Sequence, residues 1–412
     1  MSFRVSAFSL VLSVFGLVIA VADRSGQAVS WRQWPDRAEA MLFAPRSGVH
    51  RDEATSRSAV RRRAATSRHH METPLPPDGQ PIGTTFFAKS ALARKITAAS
   101  PPLDPHSAAM VEAVSAGGLG QMQFDRAGNG GTAVSTGHRS DPVYTPQCLE
   151  SYGLPGRRHD CPVVATHIRA GATAGVPTDY HSAFLDASND SETDAWLTCA
   201  TDTDGNLKGN PCRFPLLGPL TIGWGASGSR AGDGTGFGGT ASGIALTPGI
   251  VRAEDLLAGV ATHGFLVAVQ CGASQANVYP SKGTDAQGSS TCTGATAEPT
   301  YGQILWLDAT GESEMLSMNP VVLGPYIRAW HDYGAYIGDK NEAGAVSKGS
   351  DVITMELENS PAWLRVVSAI RRDRHRIDTT MANRAYHLNP RVPSDFVSHL
   401  HVLSAKCSEA GC

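Results

Sequence analysis

The chain has 412 residues and a formal net charge of −3 with its histidines neutral, and only 18% of its residues are charged. This balance argues against nucleic acid as the main partner, because nucleic-acid binding depends on clustered positive charge. The length is sufficient for one large domain with a full hydrophobic core.

The N-terminus has the form of an export signal. Arg4 precedes an almost uncharged apolar run over residues 8–22, and Ala20-Val21-Ala22 has the small residues that signal peptidase accepts. We therefore predict that residues 1–22 are a signal peptide cleaved before Asp23. An uncleaved membrane anchor is the alternative, although the run is short for a bilayer. After cleavage the protein is predicted to be secreted and free of the membrane.

Residues 23–85 have no lasting hydrophobic period and are rich in Arg, Ala, Ser and Pro. This composition predicts a disordered segment or a pro-segment. Arg61-Arg62-Arg63 lies within it. The triplet indicates a processing site, a contact to an acidic cell-wall polymer or, most simply, a solvated linker.

Residues 86–370 are predicted to form a mostly β domain, namely a jelly-roll-like or concanavalin-like β-sandwich with a few short helices. Short apolar runs bounded by Gly, Pro, Asp or Asn have the length of strands. These runs are residues 161–167, 181–185, 265–271, 303–308 and 352–357. Helices are predicted over residues 104–114, 252–259 and 320–333, with a basic surface helix or arm at 365–376.

All eight cysteines follow residue 140, and an even number in an exported chain predicts disulfides. Pairing between sequence neighbours would give Cys148–Cys161, Cys199–Cys212, Cys271–Cys292 and Cys407–Cys412. The last bridge would close a C-terminal arm over residues 371–412. Zinc is the rival explanation, but the chain has no CxxC spacing. We therefore predict no metal and no cofactor.

The candidate catalytic residues are histidines and carboxylates in two polar stretches, and they are Asp179, His181, Glu192, Glu254 and His263. Asp179 and His181 lie two apart on a presumed strand and so share a face. A carboxylate beside an imidazole fixes its tautomer, and such a pair can act as a general base or bind a cation. A surface Asp–His pair, or a His263 held in the core by hydrogen bonds, is the plainer alternative.

Two tryptophans are candidate sugar platforms, because an indole face can stack on the C–H face of a pyranose. Trp196 follows Glu192 by four residues, and Trp224 stands between Gly223 and Gly225, which would leave the ring room to be exposed. Packing over a sheet edge is the alternative for such a ring. Further residues predicted to contact substrate are Thr240, Ser242, Tyr279 and Asp285. A tyrosine could also donate a proton in a lyase.

Several of these segments together resemble a group of exported, uncharacterised bacterial proteins. The similar segments are residues 104–114, 176–186, 192–196, 240–263, 278–285 and 333–335, within a span of about residues 88–365. The resemblance implies a secreted β-rich domain with a shared cleft and brings no activity with it. That group often has Asp before the histidine matched by His263, where this chain has Thr262.

The sequence thus predicts an extracellular enzyme that cleaves a polysaccharide, either a glycoside hydrolase or a polysaccharide lyase. His181 or His263 would be the base, Asp179 would orient it, and Glu192 or Glu254 would be the acid. Two carboxylates about 5–10 Å apart suit hydrolysis, whereas a histidine with a tyrosine suits β-elimination from a uronic-acid polymer. The alternatives are a non-catalytic carbohydrate-binding or cell-surface module, and a structural secreted domain without a ligand.

Overall fold

The structure is a computed structural model. It describes residues 87, 89–115, 123–127, 131–149, 161–174, 180–199, 212–237, 239–269, 277–283, 297–340, 353–355, 357–377, 379–382, 385–388 and 390–412. All of these lie in the compact unit Arg68–Cys412. The predicted signal peptide and pro-segment lie outside the described residues, as do Asp179, Asp285 and the Cys271–Cys292 pair.

Short strands dominate the described part of the chain. They are β1 Gln123–Ala127, β2 Ala133–Gly137, β3 Val143–Tyr144, β4 Gln147–Cys148, β5 Thr166–His167, β6 Thr173–Ala174, β7 Ser182–Asp186, β8 Ser191–Trp196, β9 Cys212–Arg213, β10 Thr221–Ile222, β11 Trp224–Ser229, β12 Phe265–Val269, β13 Ile304–Leu307, β14 Ala335–Lys340, β15 Ile353–Met355, β16 Thr379–Ala382, β17 Ala385–Leu388 and β18 Leu400–Val402. The helices are α1 Ser107–Ser115, α2 Ala253–Ala258, α3 Ala309–Met318, α4 Gly324–Asp332, α5 Trp363–Arg372 and α6 Ala405–Ala410. Single 3-10 turns occupy Ala91–Ala93, Val321–Leu323 and Phe396–His399.

The larger of two main sheets has eight strands in the order β16-β17-β1-β15-β12-β14-β13-β18. It is mixed, because β1 pairs with β15 and β12 pairs with β14 in parallel, whereas the other neighbours are antiparallel. Residues 371–412, predicted to be an arm, supply β16, β17 and β18 to this sheet. Leu388, Leu400 and Val402 bury their side chains there, which explains why the segment joins the sheet.

Helices α1, α2, α4 and α5 pack on the large sheet and share one hydrophobic cluster with it. Aromatic rings occupy its centre: the Phe265 ring lies 4.4 Å from that of Tyr326 and 5.7 Å from that of Trp330, between centroids. The α2 helix ends where Gly259 takes the left-handed conformation at φ 78°, as expected for a helix C-terminus. Burial of these aromatic side chains is the main favourable term in the stability of this layer.

The smaller main sheet has four strands in the order β11-β8-β7-β2. Strands β2 and β7 are parallel, and β7–β8 and β8–β11 are antiparallel. Both faces are covered. Ala183 and Leu185 pack on one side with Phe237 and Leu246, while Phe184 packs on the other side with a separate apolar cluster. Polar side chains of β8 are consequently enclosed by protein on whichever face they point to.

Three disulfides confirm part of the predicted pairing. The bonds Cys148–Cys161, Cys199–Cys212 and Cys407–Cys412 each join sequence neighbours. The first two lie beside the small sheet, and the third lies near the C-terminus. Among the described residues, no helix combines the length and the apolar character needed to span a bilayer.

The fold is β-rich with several sheets and few short helices, as predicted. All five apolar runs that the sequence marks as strands contain a strand. The finer expectation, a jelly-roll sandwich, is not confirmed. The described sheets contain parallel pairs, whereas a jelly roll is built from antiparallel strands.

Candidate functional site

Trp196 and Trp224 are directly opposite each other where β8 and β11 pair. Opposite residues of an antiparallel pair point to the same face, with Cβ atoms about 5 Å apart. Both side chains are partly exposed. The two predicted sugar platforms therefore form one adjacent pair at the end of the small sheet.

The glycines around Trp224 serve a different purpose from the one predicted. A Cβ on Gly225 would lie 2.6 Å from the backbone oxygen of Asp194, and a Cβ on Gly223 would lie 2.9 Å from Cβ of Leu197. Close approach of neighbouring backbone and side-chain atoms therefore requires both glycines. The room that they leave is filled by protein.

Glu192 is fully buried in the small sheet. The backbone N–H of Thr247 donates to its Oε1 at 3.1 Å, and the Thr247 hydroxyl donates to its Oε2. Asp194 shares the same face of β8, two residues on, and its Oδ2 accepts the N–H of Leu246 at 2.8 Å. A buried turn thus covers both carboxyl groups, and in this geometry neither can touch a polymer.

Burial raises the pKa of Glu192, although bonds from Asp194 and Thr247 and the charge of Arg230 partly oppose the shift. Burial and then the charge of Glu192 raise the pKa of Asp194 well above its ordinary value. Two carboxylates on one buried face cannot both ionise cheaply. Burial therefore favours the neutral form of both groups, and most strongly that of Asp194.

Thr240 and Ser242 are both buried, and their hydroxyl groups stabilise the loop that leads to Thr247. The two hydroxyl oxygens lie 2.9 Å apart, and the Thr240 hydroxyl donates to the backbone oxygen of Ile244 at 3.1 Å. The backbone of Ser242 bonds to Gly338 of β14. The loop that covers Glu192 is thereby tied to the large sheet as well.

His181 directly precedes β7 and is buried, with only 4% of its surface exposed. Its backbone oxygen accepts the N–H of Ala133, the first residue of β2. Its predicted partner Asp179 lies outside the described residues, so the predicted Asp–His pair stays a prediction.

His263 lies beside α2 and faces Asp255. Its Nδ1 is 2.7 Å from the backbone oxygen of Gly264 and must donate to it, so Nε2 is the acceptor nitrogen whenever the imidazole is neutral. That Nε2 is 3.7 Å from Oδ2 of Asp255, and both atoms are buried without a hydrogen-bond partner. A water-sized hollow borders the pair, lined also by Arg252 and Tyr326. The hollow leaves room for a molecule the size of water beside these two atoms.

Glu254, the predicted acid beside His263, is directed elsewhere. Its Oε1 accepts the Ser360 hydroxyl at 2.8 Å. Next to it, Arg252 donates Nη2 to Oε1 of Glu358 at 2.8 Å and Nε to Oε2. Burial raises the pKa of Glu358 to about 7, against the lowering effect of Arg252. The α2 region thus holds a buried ionic network centred on the Arg252–Glu358 pair.

Tyr279 is part-buried and lies beside the Ser242 loop, because the Ser281 hydroxyl and the N–H of Lys282 both donate to the backbone oxygen of Ser242. Its hydroxyl donates to Oδ2 of Asp233 at 3.3 Å, and the charged groups of Arg94 and Lys282 lie 5.6 Å and 5.9 Å from its ring centroid. Burial and the Asp233 charge raise the pKa of Tyr279. The phenol therefore keeps its proton at neutral pH, as a hydrogen-bonding wall would require.

The predicted residues thus form separate groups. The structure joins Trp196 to Trp224, Thr240 to Ser242, and Glu192 to a threonine that was not among the candidates. Within the part of the chain that the structure describes, no contact links Glu192 to His263. Asp179 and Asp285 lie outside the described residues, and the single cleft expected from the sequence stays a prediction.

A cluster around Asp186 was not predicted from the sequence. Nδ1 of His167 lies 2.8 Å from Oδ2 of the fully buried Asp186, and the Ser188 hydroxyl donates to Oδ1 of Asp186 at 2.7 Å. Burial by itself would raise the pKa of Asp186. Hydrogen bonds from the N–H of His167 and from the Ser188 hydroxyl outweigh this effect and hold the pKa below its ordinary value. The available signal was His167, the last residue of a run predicted to be a strand. Its partner Asp186 is 19 residues away in sequence, so nothing local indicated the contact.

Comparisons with known proteins add no assignment. No family model matches the chain, and neither the comparison with curated proteins nor that with solved structures found a similar protein.

Proposed function

We propose that this protein binds carbohydrate at the cell exterior, and that Trp196 and Trp224 form the surface on which sugar rings stack. The observation that carries the proposal is their register. The two indoles are opposite each other on adjacent strands and both are partly exposed.

A pair of adjacent indoles suits a sugar because each ring offers a large apolar face with a polar N–H at its edge. Tryptophan has few rotatable bonds, so little conformational entropy is lost when it binds. The strand pairing fixes the spacing of the two backbone positions that carry the rings before any ligand arrives. This preorganisation would favour affinity for consecutive sugars of a polymer.

Export belongs to the same proposal. Residues 1–22 predict secretion, and the three disulfides are compatible with an oxidising, extracellular setting. The jelly-roll-like or concanavalin-like sandwich also stays a prediction.

A polysaccharide-cleaving enzyme is the second candidate function, favoured by the Asp255–His263 pair. Nε2 of His263 and Oδ2 of Asp255 are both unpartnered and border a hollow. A histidine in this state can accept a proton in general-base catalysis. For a polymer to reach it, the residues that follow α2 would have to move.

Affinity electrophoresis tests the binding function. The purified chain is run through gels that each contain one polysaccharide from a panel of neutral and uronic-acid polymers. We expect retardation by at least one polymer, a loss of about tenfold or more in affinity for Trp196→Ala and for Trp224→Ala, and partial retention for Trp196→Phe.

Leu217→Ala is the matched control, because Leu217 is a fully exposed apolar residue near the same sheet and should leave retardation unchanged. Circular dichroism checks that each variant is folded. If no polymer retards the wild-type chain, or if both tryptophan variants are retarded as strongly as the wild type, the binding proposal is wrong.

The same panel separates the second candidate. Release of reducing ends would indicate hydrolysis, and reducing ends together with absorbance of unsaturated products would indicate a lyase. His263→Ala should abolish either signal if His263 is the base.

A further inference from the structure

A group of histidines and carboxylates gathers where α3 and the 3-10 turn Phe396–His399 meet the edge of the large sheet. It is remote from the residues of the proposed function in sequence and uses none of them. Asp308 caps the N-terminus of α3, and its Oδ1 accepts the N–H of Gly311 at 2.8 Å. The same carboxylate lies 3.2 Å from Nδ1 of His399 and 3.4 Å from Nε2 of His401.

Asp308 sets the tautomer of His399. Both oxygens of the Asp308 carboxylate lie 3.2 Å from Nδ1 of His399, within hydrogen-bond distance. An ionised carboxylate accepts the proton of Nδ1. Nε2 of His399 is then left with its lone pair when the imidazole is neutral.

That nitrogen makes no hydrogen bond and lies near further carboxylates. Nε2 of His399 is buried and has no hydrogen-bond partner, and it lies 3.6 Å from Oδ2 of Asp395. One ligand atom each from Glu314, Asp395 and His399 can be chosen so that all three lie within 4.8 Å of one another. Donor atoms bound at about 2.1 Å to one tetrahedral zinc ion are roughly 3.4 Å apart.

We propose that Glu314, Asp395 and His399 bind a divalent metal ion of the zinc type, with Asp308 holding the imidazole as an outer carboxylate. Metal-ligating histidines commonly donate their other ring N–H to a carboxylate in this way. The mixed set of one imidazole and two carboxylates favours Zn²⁺ over Ca²⁺ and Mg²⁺, which prefer oxygen ligands alone. The Asp395 side chain is 63% exposed, so an ion can enter from solvent.

The scaffold holds the site closely. A Cβ on Gly311 would lie 2.6 Å from Cβ of His399, so only glycine lets α3 approach the histidine this nearly. Phe396, in the same turn as His399, is buried in the main core cluster. Both elements that carry ligands are therefore anchored, and three protein ligands leave room for water or another group on the metal.

The test is isothermal titration calorimetry of the untagged full-length chain with Zn²⁺ alone, repeated in excess Mg²⁺ and Ca²⁺. We expect one equivalent of Zn²⁺ that neither competitor displaces. His399→Gln and Asp395→Asn should each weaken binding at least tenfold. Asp308→Asn, a positioning variant, should weaken it about 10- to 100-fold and also change the visible absorption of bound Co²⁺.

His138→Gln is the matched control, since His138 is an exposed histidine elsewhere in the described chain. It should bind Zn²⁺ as the wild type does. Asp395 is largely exposed, so its variant should fold even if His399→Gln does not, and circular dichroism decides this. Absence of one-equivalent binding, or binding that Asp395→Asn leaves unchanged, would overturn the proposal.

Discussion

Two regions of this protein bury carboxyl groups and neutralise them by different means. In the α2 region, two N–H donors of the Arg252 guanidinium pair with Glu358. In the small sheet, Glu192 and Asp194 lie on one buried face, and burial raises the pKa of both carboxyl groups. A guanidinium stays charged at any ordinary pH, so Glu358 keeps its charged partner, although burial still raises the pKa of Glu358 to about 7. Both regions should therefore lose stability as pH rises through these raised pKa values.

The largest expected effect comes from removing the guanidinium. Arg252→Met should lower the free energy of unfolding by about 3–5 kcal/mol at pH 8, because it leaves Glu358 buried without its partner. At pH 5 the loss should be smaller, since Glu358 can then take a proton. Urea denaturation at both pH values measures this.

A double variant sharpens the same point. Arg252→Met combined with Glu358→Leu removes both charges and should recover most of the lost stability. A double variant as unstable as the single one would mean that packing, and not charge pairing, dominates at this place.

Thr247→Val tests the contact between the buried turn and Glu192 in the small sheet. It removes the hydroxyl bond to buried Glu192 and should cost about 1.5–3 kcal/mol, measured by urea denaturation. Thr132→Val is the matched control, because the Thr132 hydroxyl is buried without a hydrogen-bond partner and its loss should cost little. Equal losses in the two variants would contradict the assigned role of Thr247.

Asp194→Asn should make the protein more stable than the wild type at pH 8, because the variant has no buried carboxyl group to ionise at this position. The pKa of Asp194 is higher in the folded than in the unfolded chain. Its contribution to stability is therefore complete below the unfolded pKa and is lost as pH rises through the folded one. Between pH 4 and pH 8, the free energy of unfolding measured by urea denaturation should fall for the wild type. For the variant it should change less with pH.

The smallest effect is expected at an exposed pair. The Lys95 ammonium lies 3.1 Å from Oδ2 of Asp332, with 54% of the lysine side chain exposed. Asp332→Asn should change stability by no more than about 1 kcal/mol, and added salt should reduce the difference. A loss comparable with that of Arg252→Met would show that burial is not what separates these pairs.

Local signals in the sequence predicted much of the secondary structure. A helix was predicted over residues 252–259, and its end was placed at Gly259 because glycine is common at helix C-termini. The structure confirms both, since α2 ends at Gly259. The basic segment at residues 365–376 was expected to be a surface helix or arm. In α5, however, Trp363, Val366 and Ile370 are buried at helical spacing, a pattern that was legible in the sequence. The α3 helix was missed, although Asp308 caps it.

The site was less predictable because it depends on contacts between distant segments. Trp196 and Trp224 were chosen for their chemistry, but only strand register places them side by side. Glu192 looked like a catalytic acid because nothing local revealed that Thr247 covers it, 55 residues away. His399 and Glu314 likewise meet only because two separate elements dock at Gly311. No periodicity in the sequence encodes such encounters.

The turn over the small sheet has a further consequence. The main-chain N–H groups of Leu246 and Thr247 donate to carboxyl oxygens, whereas most amides in sheets and helices donate to carbonyls. A carboxyl oxygen becomes a weaker acceptor when it gains a proton. Deuterium uptake at these two amides should thus follow the ionisation of the carboxyl pair beneath them, and it provides a built-in probe of that charge without any added label.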